Sequence, residues 1–260
     1  MDEETQIDRR ERLGRSRRRR VVAIVVCTLL ALLAYAFRGP LFGGNFGVVH
    51  EQRVYRSAQP RSGLAALIRE RRLTSILNLR GGSPRDSWYA DEVRACRAGD
   101  VDFYDLPMSA TARPSRRDLL RLIDLFGRCR YPLLIHCKSG ADRTGLVAAL
   151  YRMVAQGVDP RRAETSFTIA YGHVPLFGTQ RLHEPLREYA DWLDARGSRH
   201  TPERFRAWVA NEYVSPDTET DLPTLRPGTR EPSFEALIFP EGSSPSTASG
   251  LPEVDSGEQR

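Results

Sequence analysis

Short apolar runs alternate with longer mixed segments through the middle of the chain. Strand-length runs fall near residues 53–56, 74–79, 101–106 and 132–136, and helix-length segments near 61–72, 87–98 and 115–128 separate them. Strands joined by helical crossovers pair in parallel, so this alternation predicts an α/β domain: a central, mostly parallel sheet flanked by helices. Beyond residue 136 the pattern turns helical, with segments near 143–157, 160–171, 179–196 and 202–213. The last opens with a Thr201 cap and Pro202 in its first turn.

The ends of the chain read differently. Residues 1–20 carry eight arginines and finish in Arg17-Arg18-Arg19-Arg20, and residues 21–37 are seventeen positions without a charge. An apolar stretch beside such a cluster is a membrane-targeting segment rather than a buried core helix. Arginines stay on the cytoplasmic side, so a single-pass anchor here places the folded domain outside the cytoplasm, in a bacterium the periplasm. A cleaved signal is the alternative, because the run is short for a span and Ala34-Tyr35-Ala36 resembles a cleavage site. Residues 38–47 form a Gly-rich linker, 48–214 the folded domain, and 215–260 a tail with nine acidic and three basic residues, rich in Pro and Ser. That composition predicts disorder.

Composition changes the picture in two places. The net charge is +6, but basic and acidic residues sit in different segments and no nucleic-acid motif is present, so nucleic acid is not an expected partner. Of 39 Lys plus Arg, a single residue, Lys138, is lysine. A compact ammonium kept at one place in an arginine-biased chain points to a local need for it. The four cysteines form no metal pattern. Cys27 lies in the apolar run, Cys96 and Cys129 lie in predicted helices as small apolar residues, with a disulfide between them unsupported, and Cys137 stands apart.

Cys137 follows the apolar run Leu133-Leu134-Ile135 directly after His136, and Lys138-Ser139-Gly140-Ala141-Asp142 separate it from Arg143 at a helix start. A cysteine so placed points its sulfur into a bowl of backbone N–H groups. The loop donors and the helix N-terminus both favour a phosphate dianion there. The same field favours the thiolate, the nucleophilic form of cysteine. Arg143 can pair with two phosphate oxygens at once, which a lysine cannot. Thr144 can hydrogen-bond the sulfur, and Gly140 allows a backbone conformation closed to other residues.

His136 to Thr144 match the H-C-x5-R-[ST] signature, and the chain resembles the protein tyrosine and dual-specificity phosphatase superfamily. Val54-Tyr55-Arg56-Ser57-Ala58-Gln59-Pro60 and Ser75-Ile76-Leu77-Asn78-Leu79-Arg80 look like the opening strands of its compact atypical branch, and the resemblance covers roughly residues 48–190. It implies a two-step hydrolysis. Cys137 attacks phosphorus to give a phosphocysteine, which water then cleaves, with no metal or cofactor. Lys138, Ser139, Gly140, Ala141 and Thr144 bind the phosphate, and His136 orients the loop and tunes the thiolate.

The acid that protonates the leaving oxygen is left open. The family usually carries it on a loop after the strand at 101–106, yet Met108-Ser109-Ala110-Thr111-Ala112-Arg113 has no carboxylate. Asp105 is the nearest candidate there, with Asp102 behind it. Asp142 is the other. C-x-x-G-x-D-R-T resembles the myotubularins and bacterial phosphatases with phosphoinositide activity, in which that aspartate has an acid role. Its bland reading is a carboxylate complementing a helix dipole, and that of Asp105 is a strand-end turn residue. His173 and His183 read as surface or capping residues, Trp88 and Tyr89 as core aromatics or a pocket rim. Arg80, Arg85 and Arg113 lie on the strand-end edge where such sheets bind ligands, as added positive charge or as solvated arginines.

The expected activity is that of a membrane-anchored phosphomonoester hydrolase, the partner being a phosphorylated protein or a phospholipid. Lys138, Asp142 and the anchor lean toward a polyanionic or lipid phosphate. A catalytically inactive phosphate-binding module is the alternative, and a rhodanese-like thiol role lacks the H-C-x5-R-T spacing. Oligomeric state is not legible in the sequence.

Overall fold

The structure, a computed structural model, describes residues 18–29, 31, 44–60 and 63–214. Residues 18–29 are helical, and most of the expected 30–37 half of the membrane segment lies outside the described residues, as do most of the linker and the whole acidic tail. Among the described residues no helix is long and apolar enough to cross a membrane.

The domain is a five-stranded sheet in the order β1-β2-β5-β3-β4. The strands are β1 (Gly47–His50), β2 (Val54–Ser57), β3 (Ser75–Asn78), β4 (Asp102–Asp105) and β5 (Leu133–His136). The helices are α1 (Leu64–Arg71), α2 (Ser87–Ala98), α3 (Arg116–Arg128), α4 (Asp142–Gln156), α5 (Pro160–Ala163), α6 (Glu184–Ala195) and α7 (Pro202–Asn211). β2, β5, β3 and β4 are parallel, as the alternation predicts, and β1 adds an antiparallel edge. β1 is absent from the sequence reading because its four residues are mostly half-exposed and begin at the glycine that closes the linker.

Both faces of the sheet are covered, and strand alternation decides which residue goes where. Tyr55, Ile76 and Leu134 turn toward Leu64 and Ile68 of α1 and Cys96 of α2. Val54, Leu77, Leu133 and Ile135 turn the other way, onto Leu119, Leu122 and Phe126 of α3 and Leu146, Val147 and Leu150 of α4, with α6 and α7 behind them. Truncating a fully buried leucine in this larger core, such as Leu122, costs about 2–5 kcal/mol. Cys96 and Cys129 belong to opposite faces and are free thiols, so no disulfide joins them; burial pushes each up to about 12.

Capping chemistry sets the helix starts. Ser115 Oγ accepts from the Asp118 N–H at 3.0 Å at the head of α3, and Thr201 Oγ1 accepts from Arg204 at 3.1 Å at the head of α7. The expected helix over 160–171 is broken: α5 stops at Ala163, and 3-10 turns at Glu164–Ser166 and Ile169–Tyr171 flank an extended Phe167. Thr165, Ser166 and Thr168 are poor helix formers, and Thr168 caps the second turn with its own hydroxyl. The break turns Phe167 into the core. The expected helix over 179–196 likewise begins as a 3-10 turn, Thr179–His183, before α6.

Candidate active site

The chain runs from β3 through α2 to β4 and returns through α3 to β5, which sits between β2 and β3. Neighbouring β5 and β3 therefore feed helices on opposite faces, and the crevice at their carboxyl ends is where such sheets place ligands. The 137–141 loop leaves β5 at this point and enters α4.

The scaffold turns the four carbonyls from Lys138 to Ala141 outward. Lys138 O accepts from Gln59 N at 3.3 Å, and Ser139 O from Asn45 Nδ2 at 2.8 Å. Gly140 O and Ala141 O accept from Arg56 Nη2 at 2.8 and 3.3 Å, and Ala141 O also takes the first helical bond from Gly145 N at 2.9 Å. In a trans peptide the next N–H points away from the carbonyl. The N–H groups of residues 139 to 142 are thereby aimed to the inside of the loop, and the Gly140 N–H reaches Cys137 Sγ at 3.2 Å. Gly140 has φ +73°, and a Cβ there would lie 2.6 Å from Ala58 N and from Ser57 C and O. Only glycine lets the loop lie against the end of β2.

Arg56 and Asn45 do this work from outside the signature. Arg56 is buried, bonds Ser166 O at 2.8 Å as well, and its guanidinium lies 3.8 Å over the Tyr171 ring. Burial pulls it down to about 10, against the pull of Tyr171 and Cys137. Asn45 spans Ser139 O and Tyr171 O. Arg56 is visible in the sequence inside the Val54–Pro60 motif, but with no sign of its target. Asn45 falls in the Gly-rich linker and carries no signal.

Arg143 Nη1 donates to Leu79 O at 3.1 Å and Met108 O at 3.2 Å, which fixes the guanidinium across the ends of β3 and β4. Its Nε is buried and has no partner among the described residues. Lys138 and Ser139 are exposed, whereas Cys137, Gly140 and Ala141 are buried. Thr144 is fully buried and its hydroxyl has no partner among the described residues, so the expected bond to the sulfur is not formed; the Gly140 amide reaches the sulfur instead.

Below the loop lies a buried polar layer. Ser57, His136, Asn78 and Asp105 are paired in register across the four parallel strands, all facing α1 and α2. His136 Nε2 lies 2.7 Å from Glu92 Oε1 of α2, close enough to pair but misaligned for a hydrogen bond, and Gln59 Nε2 donates to the other oxygen at 2.6 Å. Glu92 escaped the sequence reading, although an acid on the buried Tyr89–Glu92–Cys96 stripe of α2 is its signal.

Asp105 belongs to this layer. Tyr89 Oη donates to Asp105 Oδ2 at 3.0 Å, and Oδ1 is buried without a partner among the described residues. Burial pushes its carboxyl up to about 6, with Glu92 adding to the shift while Tyr89 and His136 oppose it. It shares the strand parity of Phe103, on the face opposite Cys137. Asp102 stands at the other end of β4, bidentate with Arg130 at 2.8 and 3.0 Å, far from the site edge.

Asp142 is the first residue of α4, beside Arg143, with Oδ1 2.7 Å from His173 Nδ1. The structure overturns the surface reading of the two histidines: His173 and His183 are buried, and their Nε2 atoms are 2.8 Å apart. Of the strand-end arginines, Arg80 lies 3.8 Å over the Trp88 ring. Arg113 pairs with Glu188 and donates to Tyr213 Oη at 2.9 Å, so it serves packing between segments. Arg85 is exposed. Tyr89 is core, as one of its two readings expected.

A cysteine held in an amide bowl at the carboxyl edge of a parallel sheet, followed by an arginine on the next helix, defines a cysteine-dependent phosphatase fold. A family model described as "DSP-PTPase phosphatase fused to NAD+ Kinase" matches residues 43–176. The chain belongs to this family of dual-specificity-type phosphatases. The dual specificity protein phosphatase TpbA of Pseudomonas aeruginosa, in two strains, is 34% identical over 112 residues, 42% of this chain and 47% of the relative. The chain thus spans about half the length of the curated relatives it matches. Among solved structures, P. aeruginosa TpbA in complex with pTyr is 24% identical, covering 62% of this chain and 88% of that one, with a TM-score of 0.45. The catalytic core of the PP-IP phosphatase SIW14 from S. cerevisiae is 20% identical, covering 59% and 93%, with a TM-score of 0.46.

Proposed function

We propose that this domain hydrolyses phosphomonoesters through a phosphocysteine on Cys137. The observation that carries the proposal is the loop itself: four consecutive carbonyls are bound outward by Gln59, Asn45 and Arg56, so the amides form a ready anion site around the sulfur. A binding module without turnover would need the amide cradle and Arg143 but not the sulfur of Cys137, which the Gly140 amide contacts inside the bowl. Sulfur attacks phosphorus as the ester P–O bond breaks. The preorganised amides and Arg143 stabilise the charge spread over the equatorial oxygens.

Asp142 is the acid in this reading. It adjoins Arg143 in the first turn of α4, and its side chain is one-fifth exposed. Asp105 has a carboxyl at about 6, a serviceable value for an acid near neutrality, but it is committed to Tyr89 beneath the sheet edge. Asp142 Oδ2 gives its proton to the leaving oxygen. In the second step water attacks phosphorus, the S–P bond breaks, and the water proton returns to Oδ2.

The proposal places the domain at a membrane, outside the cytoplasm. The described part of the N-terminal segment is helical, and Val21, Val22, Ile24, Val25, Val26 and Leu29 all expose about half or more of their surface. The substrate class follows from the rim: exposed Lys138, and Arg80 on Trp88, suit a phosphate carrying further negative charge, as on a phosphoinositide-like lipid.

Phosphate release by the full chain in detergent, with Cys137→Ser as control, tests both parts. Turnover on phosphoinositides above phosphotyrosine and phosphothreonine peptides supports the reading, and preference for a peptide makes it a protein phosphatase. Vanadate binding without turnover on any substrate leaves a binding module and contradicts the proposal.

A further inference from the structure

Five side chains form a continuous chain of contacts from the phosphate loop to the surface. Asp142 Oδ1 meets His173 Nδ1 at 2.7 Å, His173 Nε2 meets His183 Nε2 at 2.8 Å, and His183 Nδ1 meets Glu164 Oε1 at 2.6 Å. Arg187 Nε closes the chain on the same Glu164 oxygen at 2.7 Å. Phe167 covers the pair, stacked on His183 with ring centroids 4.0 Å apart and tilted over His173 at 4.8 Å. Gly145 makes room for Phe167, since a Cβ there would lie 2.9 Å from its ring. Gly145, the broken helix and the two histidines are thus one construction.

Counting protons gives the charge of this array. Both Nδ1 atoms face carboxyl oxygens, which accept, so each carries a proton. The Nε2 atoms face each other at hydrogen-bond distance and need one proton between them. Two rings then hold three protons, one more than two neutral imidazoles, so the pair carries a single positive charge between two acids. Burial pulls the His183 imidazolium down, and Glu164 opposes that pull. The charged groups facing the pair are Asp142 from α4, Glu164 from the turn after α5, and Arg187 from α6.

We propose that His173, backed by His183 and Glu164, is a positioning residue for the acid step. It occupies Asp142 Oδ1, so that Oδ2 is the oxygen that hands over and takes back the proton. It also supplies the positive charge that balances the carboxylate formed when that proton leaves. No proton is lost from the histidine pair in either step; it is held while Asp142 cycles between acid and anion. This inference rests on the assignment of Asp142 above.

The test compares His173→Gln with the unaltered chain on two aryl phosphates, p-nitrophenyl phosphate with a good leaving group and phenyl phosphate with a poor one. Gln keeps a polar contact to Asp142 but cannot carry the charge. A phenolate that is already a good leaving group needs little protonation, so the loss should appear selectively: roughly 100-fold in kcat/KM on phenyl phosphate, the low end for acid catalysis, and little on p-nitrophenyl phosphate, with vanadate inhibition unchanged. Equal losses on both esters, or no loss on either, overturn the proposal while leaving the phosphatase reading intact. If His173→Gln no longer binds vanadate, Glu164→Gln is read by the same comparison. An unaltered chain that turns over neither ester overturns the phosphatase reading, and this proposal with it.

Discussion

Arg56 holds Gly140: a buried guanidinium on β2 donates to the carbonyl at the apex of the phosphate loop at 2.8 Å and stacks on Tyr171 behind it. The loop geometry is therefore imposed from the neighbouring strand, not from the signature alone. Arg56→Lys keeps a charge but cannot serve Gly140, Ala141 and Ser166 together. Buried charged hydrogen bonds are each worth about 1.5–3 kcal/mol. The variant is expected to lose about 2–3 kcal/mol in chemical denaturation, and vanadate should inhibit it at least about tenfold more weakly, the factor that 1.4 kcal/mol represents.

Gly140→Ala is expected to be worse for binding than for folding. Its Cβ meets the backbone of Ser57 and Ala58, which cannot move without opening the β2 end, and the left-handed φ adds strain. The loop must lift away from Arg56. A melting curve should show a folded protein with a cooperative transition, while equilibrium binding should show vanadate affinity lost by about 100-fold or more, roughly 2.7 kcal/mol.

Asp105 makes a prediction about pH. Its folded-state carboxyl stands at about 6, above the ordinary value of 3.8, so ionisation is harder in the folded protein than in the unfolded chain. The unfolded state thus gives up its proton first, and stability falls as pH rises through the window from about 4 to 6. A shift of that size corresponds to about 3 kcal/mol. Asp105→Asn removes the penalty, so denaturation midpoints measured from pH 4 to pH 8 should fall for the unaltered chain and stay flatter for the variant. Activity on phenyl phosphate should survive in Asp105→Asn, whereas Asp142→Asn should reduce it by about 100-fold, the low end for loss of a general acid.

Much of this was legible in the chain because its chemistry is local. The strand before Cys137, the five-residue spacing to Arg143 and the helix start are contiguous, and the observed β5 and α4 lie within one residue of the expected bounds at each end. α2 falls on residues 87–98 as its pattern predicts. What escaped depends on distant pairs. Asn45 reaches Ser139 across 94 positions, Arg56 reaches Gly140 across 84, and His183 is buried through its contacts with His173 and Glu164. A histidine on a polar stretch looks exposed until its partners are known. The break at Phe167 was also hidden, since tertiary packing overrode a helical pattern that local propensity opposed only weakly.

The central claim is that Cys137 becomes phosphorylated during turnover. It is tested most directly by quenching the full chain in acid during incubation with a radiolabelled phosphate ester and mapping the label. The account predicts label on the peptide containing Cys137, none at that site in Cys137→Ala, and turnover in that variant reduced to background. Undiminished turnover by Cys137→Ala, with no labelled cysteine in the unaltered chain, would contradict it.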